Sequence, residues 1–196
     1  MTQANETARD GAAGSHQYLR FSLAGEDYAF DVVKAREVLA LVRITPLPCS
    51  MEHFAGVINL RGSIIPIMDL RKKFAMGSPA ADFGSGAGAY IVVIEVGGRD
   101  DLSVVGVLVD SVKSVVRFDD AELEPAPKFG MRVDSALIKA IAKRDELFIT
   151  VLDSDRLFSE KELSQVEAVE AGPAAAEALA KARPKAEGEA KTEPVA

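Results

Sequence analysis

The alternation of apolar and polar residues along the chain predicts short β-strands, because a two-residue period places every second side chain on one face. The alternation runs through residues 18–23, stops at the turn-forming run 24–27, and resumes over residues 28–32. Apolar alternation on both sides of a short glycine-containing run is typical of a β-hairpin. The sequence therefore predicts a first hairpin near the start of the ordered chain.

A second hairpin is predicted around the dipeptide Arg61-Gly62. Apolar residues dominate 57–60 before this dipeptide and 63–70 after it. Pro66 lies within the returning run and has no N–H to donate to a ladder. We therefore expect this strand to be an edge strand, or to be bulged at Pro66.

The second half of the chain has the same character. Residues 90–96 and 102–110 are strand-like runs around the loop 97–101, which predicts a third hairpin. Further predicted elements are strands at 111–118 and 147–152, a helical turn at 119–123 and a short helix within 153–169. About ten short strands predict an all-β architecture, which the pattern leaves open between two small barrels and one sandwich. Two barrels of this size would be marginal alone, so we expect a shared apolar seam.

The predicted boundaries follow shifts in composition. Residues 1–15 and the Ala/Glu/Lys/Pro-rich end are poor in large apolar side chains, which predicts disorder. We expect a disordered segment at 1–15, an ordered domain at 16–160 with subdomains at roughly 16–80 and 89–153, and a short helix followed by a disordered tail at 161–196.

The amino-acid composition argues against several classes of function. The net charge of −7 argues against nucleic acid or an anionic membrane as partner. One cysteine and two histidines exclude an internal disulfide and a Cys/His zinc cage. The sequence contains no secretory or membrane-spanning run, so we expect a cytoplasmic protein without direct membrane insertion.

Motifs for catalysis or cofactor binding are weak. Residues 84–89 fit a dinucleotide fingerprint, but no predicted strand precedes them and no predicted helix follows. The loop starting at Asp153 lacks the glycine and the final glutamate of a calcium site. His53 is interpreted as a surface histidine and Cys49 as a structural thiol, since neither has a recognisable catalytic partner. We expect no enzyme activity, no cofactor and no metal.

Arg61 is the candidate that motif analysis leaves open. It lies in a strongly apolar stretch, residues 56–71, beside the predicted turn. One interpretation makes it a solvated turn residue. The other makes it a contact residue held by a rigid hairpin, because arginine is favoured at binding hot spots. Physical reasoning alone does not choose between them.

The stretch 56–71 resembles the signature of the CheW family, the coupling proteins of bacterial chemotaxis. That family has the core G-V-x-N-L-R-G-x-[VI]-[VI]-P-[VI]-x-D-L-R, which this sequence matches at nearly every position. The resemblance covers about residues 17–160. Matching segments occur in order along it, at 21–23, 26–28, 37–38, 44–48, 105–112 and 125–129.

The resemblance implies a non-enzymatic adaptor. Its relatives fold as two small five-stranded, SH3-like β-barrels packed together, and they couple methyl-accepting chemoreceptors to the regulatory domain of the histidine kinase CheA. Self-association within array rings is a further expectation. The family pattern assigns receptor binding to Arg61, Asn59 and Gly62, and kinase or other partner contacts to Glu37, Ala35, Val38, Gly56 and Phe129.

Two points qualify the resemblance. Ala35 stands where relatives commonly have valine, which reduces any apolar contact there. A similar adaptor could also serve another chemosensory-type pathway, such as pilus motility, and this alternative stays open.

The competing functional class is an enzyme that uses His53 or the pairs Asp100-Asp101 and Asp119-Asp120. A relative of the CheV type is not expected, because no half with a phosphorylatable aspartate follows the matched region in this sequence.

Overall fold

A computed structural model of the chain describes residues 14–49, 51–76, 89–97, 102–127, 132–144, 146–170 and 172. The strands are β1 (Ser15–Leu23), β2 (Glu26–Asp31), β3 (Ala35–Ala40), β4 (Phe54–Leu60), β5 (Ser63–Asp69), β6 (Tyr90–Val96), β7 (Ser103–Val109), β8 (Ser111–Asp119), β9 (Leu123–Glu124), β10 (Ile138–Arg144) and β11 (Leu147–Leu152). The helices are α1 (Leu70–Lys73) and α2 (Glu160–Glu170), with 3-10 turns at Val32–Lys34, Asp120–Glu122 and Ser135–Leu137. In the part of the chain that is described, neither α-helix is long and apolar enough to cross a bilayer.

The strands form two sheets, which confirms the all-β prediction. Sheet A has the order β8-β1-β2-β11-β10-β9, and sheet B has the order β3-β6-β7-β5-β4. Sheet B has the expected five strands, whereas sheet A gains a sixth through the two-residue β9. The predicted hairpins β1–β2, β4–β5 and β6–β7 are present, as is the terminal helix α2.

The predicted division into consecutive subdomains is wrong. The chain begins in sheet A, builds all of sheet B and then returns to complete sheet A. The segment between β5 and β6 does not separate two barrels, because β7 pairs in parallel with β5 from Ile67 to Asp69. Likewise β1 takes β8 as its second neighbour, with Ser22 opposite Ser111. The predictions for residues 1–13 and 173–196 lie outside the described residues.

Sheet B is closed by the segment that follows β3. Thr45 and Val57 exchange two backbone hydrogen bonds, with N···O distances of 2.8 and 2.9 Å. This exchange also explains how Pro66 is accommodated, because Pro66 lies opposite Val57, whose N–H and C=O bond Thr45 instead. β5 is therefore an internal strand, and the one irregularity of the β4–β5 register lies between Phe54 and Gly56 rather than at Pro66.

Sheet A is closed in a similar way by Arg144 on β10. Its guanidinium donates to the Glu122 carboxylate at 2.7 and 2.8 Å and also bonds the Arg117 backbone carbonyl on β8. The hydrogen bonds from Arg144, together with one from the Asp119 backbone, lower the pKa of Glu122 to about 2. Arg144 thereby joins β10 to the edge strand β8 and to the turn before β9 through charge-assisted hydrogen bonds.

The largest apolar core is the seam between the two sheets, as the sequence led us to expect. Phe21 and Phe30 of sheet A are fully buried there, with ring centroids 4.9 Å apart. Met68 and Val107 of sheet B belong to the same cluster. Each sheet also encloses a smaller core of its own. Because both sheets share the seam, surfaces on the two sheets are held on one packed body.

Candidate protein-interaction surface

The turn between β4 and β5 presents Arg61 on a rigid support. Arg61 and Gly62 have φ angles of 53° and 93°, and the flanking Leu60 and Ser63 form the last pair of the ladder. Positive φ at both central residues is the requirement of a two-residue type I′ turn. The Asn59 side-chain oxygen accepts a hydrogen bond from Gly62 N at 2.9 Å. Asn59 and Gly62 therefore shape the turn from which the Arg61 side chain extends, 79% exposed.

Arg61 meets Glu37 across the opening between the two edge strands of sheet B. Arg61 Nη2 lies 2.9 Å from Glu37 Oε1, although the residues are separated by 24 positions in sequence. An exposed ion pair contributes only about 0–1 kcal/mol to stability. Its effect is mainly to bring a predicted receptor-binding residue beside a predicted kinase-binding residue.

The strand β3 provides the rest of the predicted partner surface. It is an edge strand, and its side chains alternate strictly between half-buried and exposed positions. Val38 points outward with 39% of its surface exposed, and Val33 just before the strand is 85% exposed. Ala35 lies on the inner side, where it packs against the seam core. Val38 is therefore the more exposed apolar side chain on this face, and contact roles for Val38 and Ala35 stay predictions.

Gly56 lies where β4 closely approaches the segment that carries Thr45. It is buried, and its φ of +135° is strained for any side chain. A Cβ added at Gly56 would lie 2.3 Å from the Thr45 carbonyl oxygen and 2.8 Å from Ile44 Cγ2. The predicted partner contact at Gly56 stays a prediction, and the structure shows a buried position that only glycine fits without strain.

A groove of about 430 Å³ runs beside Asn59, between β4 and the segment after β3. Its lining includes Leu39, Val42 and Leu60, with Val42 exposed at 45%. Sequence reasoning missed Val42, because the segment that carries it has no periodicity. The groove exists only because that segment folds back onto β4. Phe129, the other predicted contact, lies outside the described residues.

His53 is an internal structural residue, so its interpretation as a surface histidine is wrong. Its side chain is 16% exposed and stacks on Phe158, while Nε2 lies 2.7 Å from Glu162 Oε1 on α2. Lys73 also donates to Glu162 Oε1 at 2.6 Å. Burial lowers the pKa of His53, and repulsion from Lys73 adds to this effect. These contacts fasten α2 to sheet B.

The acidic pairs do not form a catalytic arrangement in the described region. Asp119 and Glu122 form a capping box around a 3-10 turn, and Asp120 pairs with His16 at 3.3 Å. Among the residues with described positions, no cluster of three or more His, Cys, Asp or Glu side chains could hold a metal ion. Asp100 and Asp101 lie outside these residues. The candidate interaction surface therefore consists of the exposed Arg61, the edge strand β3 and the groove beside Asn59.

Comparisons with known proteins show what the chain is similar to. The family model of the CheW-like domain matches residues 17–162. The chain is 30% identical over 159 residues to the chemotaxis protein CheW of Klebsiella aerogenes, covering 81% of this chain and 91% of that protein. It is 33% identical over 147 residues to the chemotaxis protein CheW of Thermotoga maritima, covering 74% and 88%. The crystal structure of the scaffolding protein TtCheW from Thermoanaerobacter tengcongensis superposes with a TM-score of 0.65 at 32% identity, covering 81% of this chain and 94% of that one.

Proposed function

The chain belongs to the CheW-like family, and from this membership we propose that it holds a chemoreceptor and the histidine kinase CheA in one complex. Its role is that of an adaptor in chemotaxis signal transduction. The match over residues 17–162 carries this conclusion, because it spans both sheets and the whole interaction surface. We further propose that the protein acts by binding alone and transforms no substrate.

We assign the receptor to the face around Arg61. The side chain projects from a two-residue turn and lies next to the groove lined by Asn59 and Val42. A non-glycine residue in the left-handed region costs roughly 1–2 kcal/mol, so the turn itself would be more stable with glycine in place of Arg61. The presence of arginine at this position is explained if its planar guanidinium group makes directed hydrogen bonds to a partner. A helical hairpin with apolar side chains and exposed carbonyls or carboxylates fits such a groove.

We assign the kinase regulatory domain to the β3 face. An edge strand offers unpaired backbone groups and an exposed valine, Val38, to a partner that is itself built from β-strands. Glu37 lies at the border between this face and the Arg61 face. An adaptor that touches both partners at once gains from effective concentration, which multiplies the affinity of two weak contacts by roughly 10²–10⁴.

Receptor binding is tested with Arg61→Ala. We expect this variant to lose affinity for a purified receptor cytoplasmic tip by about 30-fold in titration calorimetry, the equivalent of about 2 kcal/mol at a hot spot. Arg156→Ala is the matched control, because Arg156 is also exposed and paired with a carboxylate, Asp153, at 3.5 Å. Equal affinities for the two variants would refute the assignment of Arg61.

Kinase binding is tested separately with Val38→Asp. A charge on the exposed edge should weaken binding to the isolated CheA regulatory domain, while receptor binding remains close to normal. Sedimentation of a mixture of protein, receptor tip and kinase domain then shows whether both partners bind simultaneously. Mutually exclusive binding would contradict the adaptor mechanism.

A further inference from the structure

The groove beside Asn59 carries a charged side chain, Arg43, that the receptor assignment does not use. The other described residues that line it are apolar or carry an uncharged polar group. Arg43 lies in the segment after β3, which pairs with β4 through Thr45 and Val57. Because this pairing is antiparallel, Arg43, two residues before Thr45, lies at the level of Asn59, two residues after Val57. The pairing that closes sheet B therefore also places Arg43 on the groove.

Arg43 is exposed and has no carboxylate partner among the residues that the structure describes. Most other arginines in those ranges are paired, as Arg36 is with Glu95 at 2.6 Å and Arg61 with Glu37 at 2.9 Å. The Arg43 guanidinium group therefore keeps its N–H donors for a group on another molecule. A carboxylate suits it best, because the planar group can donate two parallel hydrogen bonds to the two carboxylate oxygens.

The surroundings of Arg43 differ from those of an ordinary solvated arginine. It borders a concave apolar surface to which Val42 contributes, 45% exposed. An apolar centre with polar groups at its rim is the usual composition of a protein interface. The undescribed segment 77–88 ends at Ala89, whose carbonyl oxygen accepts a hydrogen bond from Leu41 N at 3.0 Å. That segment contains one charged residue, Asp82, which the test below takes into account.

We propose that Arg43 is a specificity-determining residue of the receptor face and selects a partner helix that carries a carboxylate beside its apolar side chains. The apolar side chains pack on Val42 and Leu60, and the carboxylate accepts hydrogen bonds from the Arg43 guanidinium group. Arg61 contributes less to this selection, because its guanidinium group already bonds Glu37. The identity of the partner rests on the proposed function, whereas the preference for an acidic over a basic helix depends on Arg43.

The test uses two helical peptides of eighteen residues with leucine along one face, bordered by glutamate in one peptide and by lysine in the other. Amide chemical shifts of the isotope-labelled protein detect weak binding and locate it. We expect the glutamate peptide to shift the groove amides, with affinity that falls as salt rises from 50 to 300 mM. Arg43→Gln should weaken this binding at least about fivefold, and Arg43→Glu should make the lysine peptide the better ligand. Arg117→Gln is the matched control, because Arg117 is also exposed and has no carboxylate partner in the described region.

Three results would overturn the proposal. Equal affinity of the wild type and Arg43→Gln for the glutamate peptide would show that Arg43 selects nothing. The absence of shifts at groove residues would show that an acidic helix does not bind there. An effect of Arg43→Gln that appears only in an Asp82→Asn background would show that the chain's own carboxylate neutralises Arg43. Circular dichroism confirms that each variant is folded before these results are interpreted.

The same variants separate this inference from the receptor assignment. If a purified receptor tip does not bind the wild type, while the glutamate peptide binds the groove and requires Arg43, the proposed function fails and the specificity of the groove is confirmed. If Arg61→Ala loses receptor affinity, while Arg43→Gln binds the receptor tip and the glutamate peptide as the wild type does, the receptor assignment is confirmed and the role of Arg43 is refuted.

Discussion

Replacing Gly56 with alanine tests how sheet B is closed. The new Cβ would lie 2.3 Å from the Thr45 carbonyl oxygen, a separation well inside van der Waals contact. The obstacle is backbone and cannot rotate away as the end of a flexible side chain would. Relief therefore requires the segment around Thr45 to move off β4.

The cost can be worked out from the contacts at this position. Moving the segment breaks the two hydrogen bonds between Thr45 and Val57, each contributing about 1 kcal/mol. Holding alanine at a φ of +135° adds roughly 1–3 kcal/mol of backbone strain. We expect a total loss of about 3–5 kcal/mol, a large share of the 5–15 kcal/mol that typical domains possess.

Urea denaturation followed by far-UV circular dichroism measures this loss, since the chain has no tryptophan to report by fluorescence. Gly25→Ala is the matched control. Gly25 also has a positive φ, +84°, but a Cβ there would have no atom within 4 Å. The control should lose only the conformational cost, about 1–2 kcal/mol. If both variants lose the same stability, the close approach of Gly56 to Thr45 does not govern closure.

Further predictions concern packing, pH and charge. Gly106→Ala should cost about 1–3 kcal/mol in urea denaturation, because its Cβ would lie 2.5 Å from Ile67 Cδ1; adding Ile67→Val should recover part of the loss, and no recovery would contradict this cause. Burial lowers the pKa of His53, so the unfolded chain binds the proton more readily, and stability should fall as pH drops through about 6.5. Melting temperatures at pH 8 and 5.5 should differ less in His53→Gln than in the wild type; an equal difference would exclude His53 as the source. Arg61→Ala should change the free energy of unfolding by less than about 1 kcal/mol, because the Arg61 side chain is 79% exposed; a larger loss would show that its pair with Glu37 supports the fold.

Local patterns predicted the parts of the fold that depend on neighbouring residues. The hairpins β1–β2, β4–β5 and β6–β7 each combine period-two alternation with turn residues, and both signals are short-range. The strands β3 and β10 were missed, because exposed charged residues such as Arg36 and Lys139 interrupt their apolar content. Strand order was also beyond local reasoning, because the parallel contact of β7 with β5 joins residues about 40 positions apart.

For the candidate interaction surface, too, the sequence predicted local features but not contacts between distant parts of the chain. Arg61 was predicted as a candidate contact residue from the sequence, through its turn and its resemblance to a family motif, and this role stays a prediction. Its pairing with Glu37 was not predicted, since it depends on sheet B closing so that the two edges meet. His53 was misread for a related reason, because the helix that buries it carries Glu162 more than a hundred residues later in the chain.

The nested order of the two sheets has a consequence for biosynthesis. Ser22 on β1 bonds Ser111 on β8, 89 residues further along the chain. At translation rates of ~5–20 residues per second, this β1 residue leaves the ribosome roughly 4–18 s before its β8 partner exists. Sheet B is contiguous from β3 to β7 and can assemble during this interval. Phe21 and Phe30 therefore stay exposed on the nascent chain until the later strands of sheet A emerge. A chaperone bound at the ribosome would protect the chain during this interval, whereas the mature fold buries both side chains.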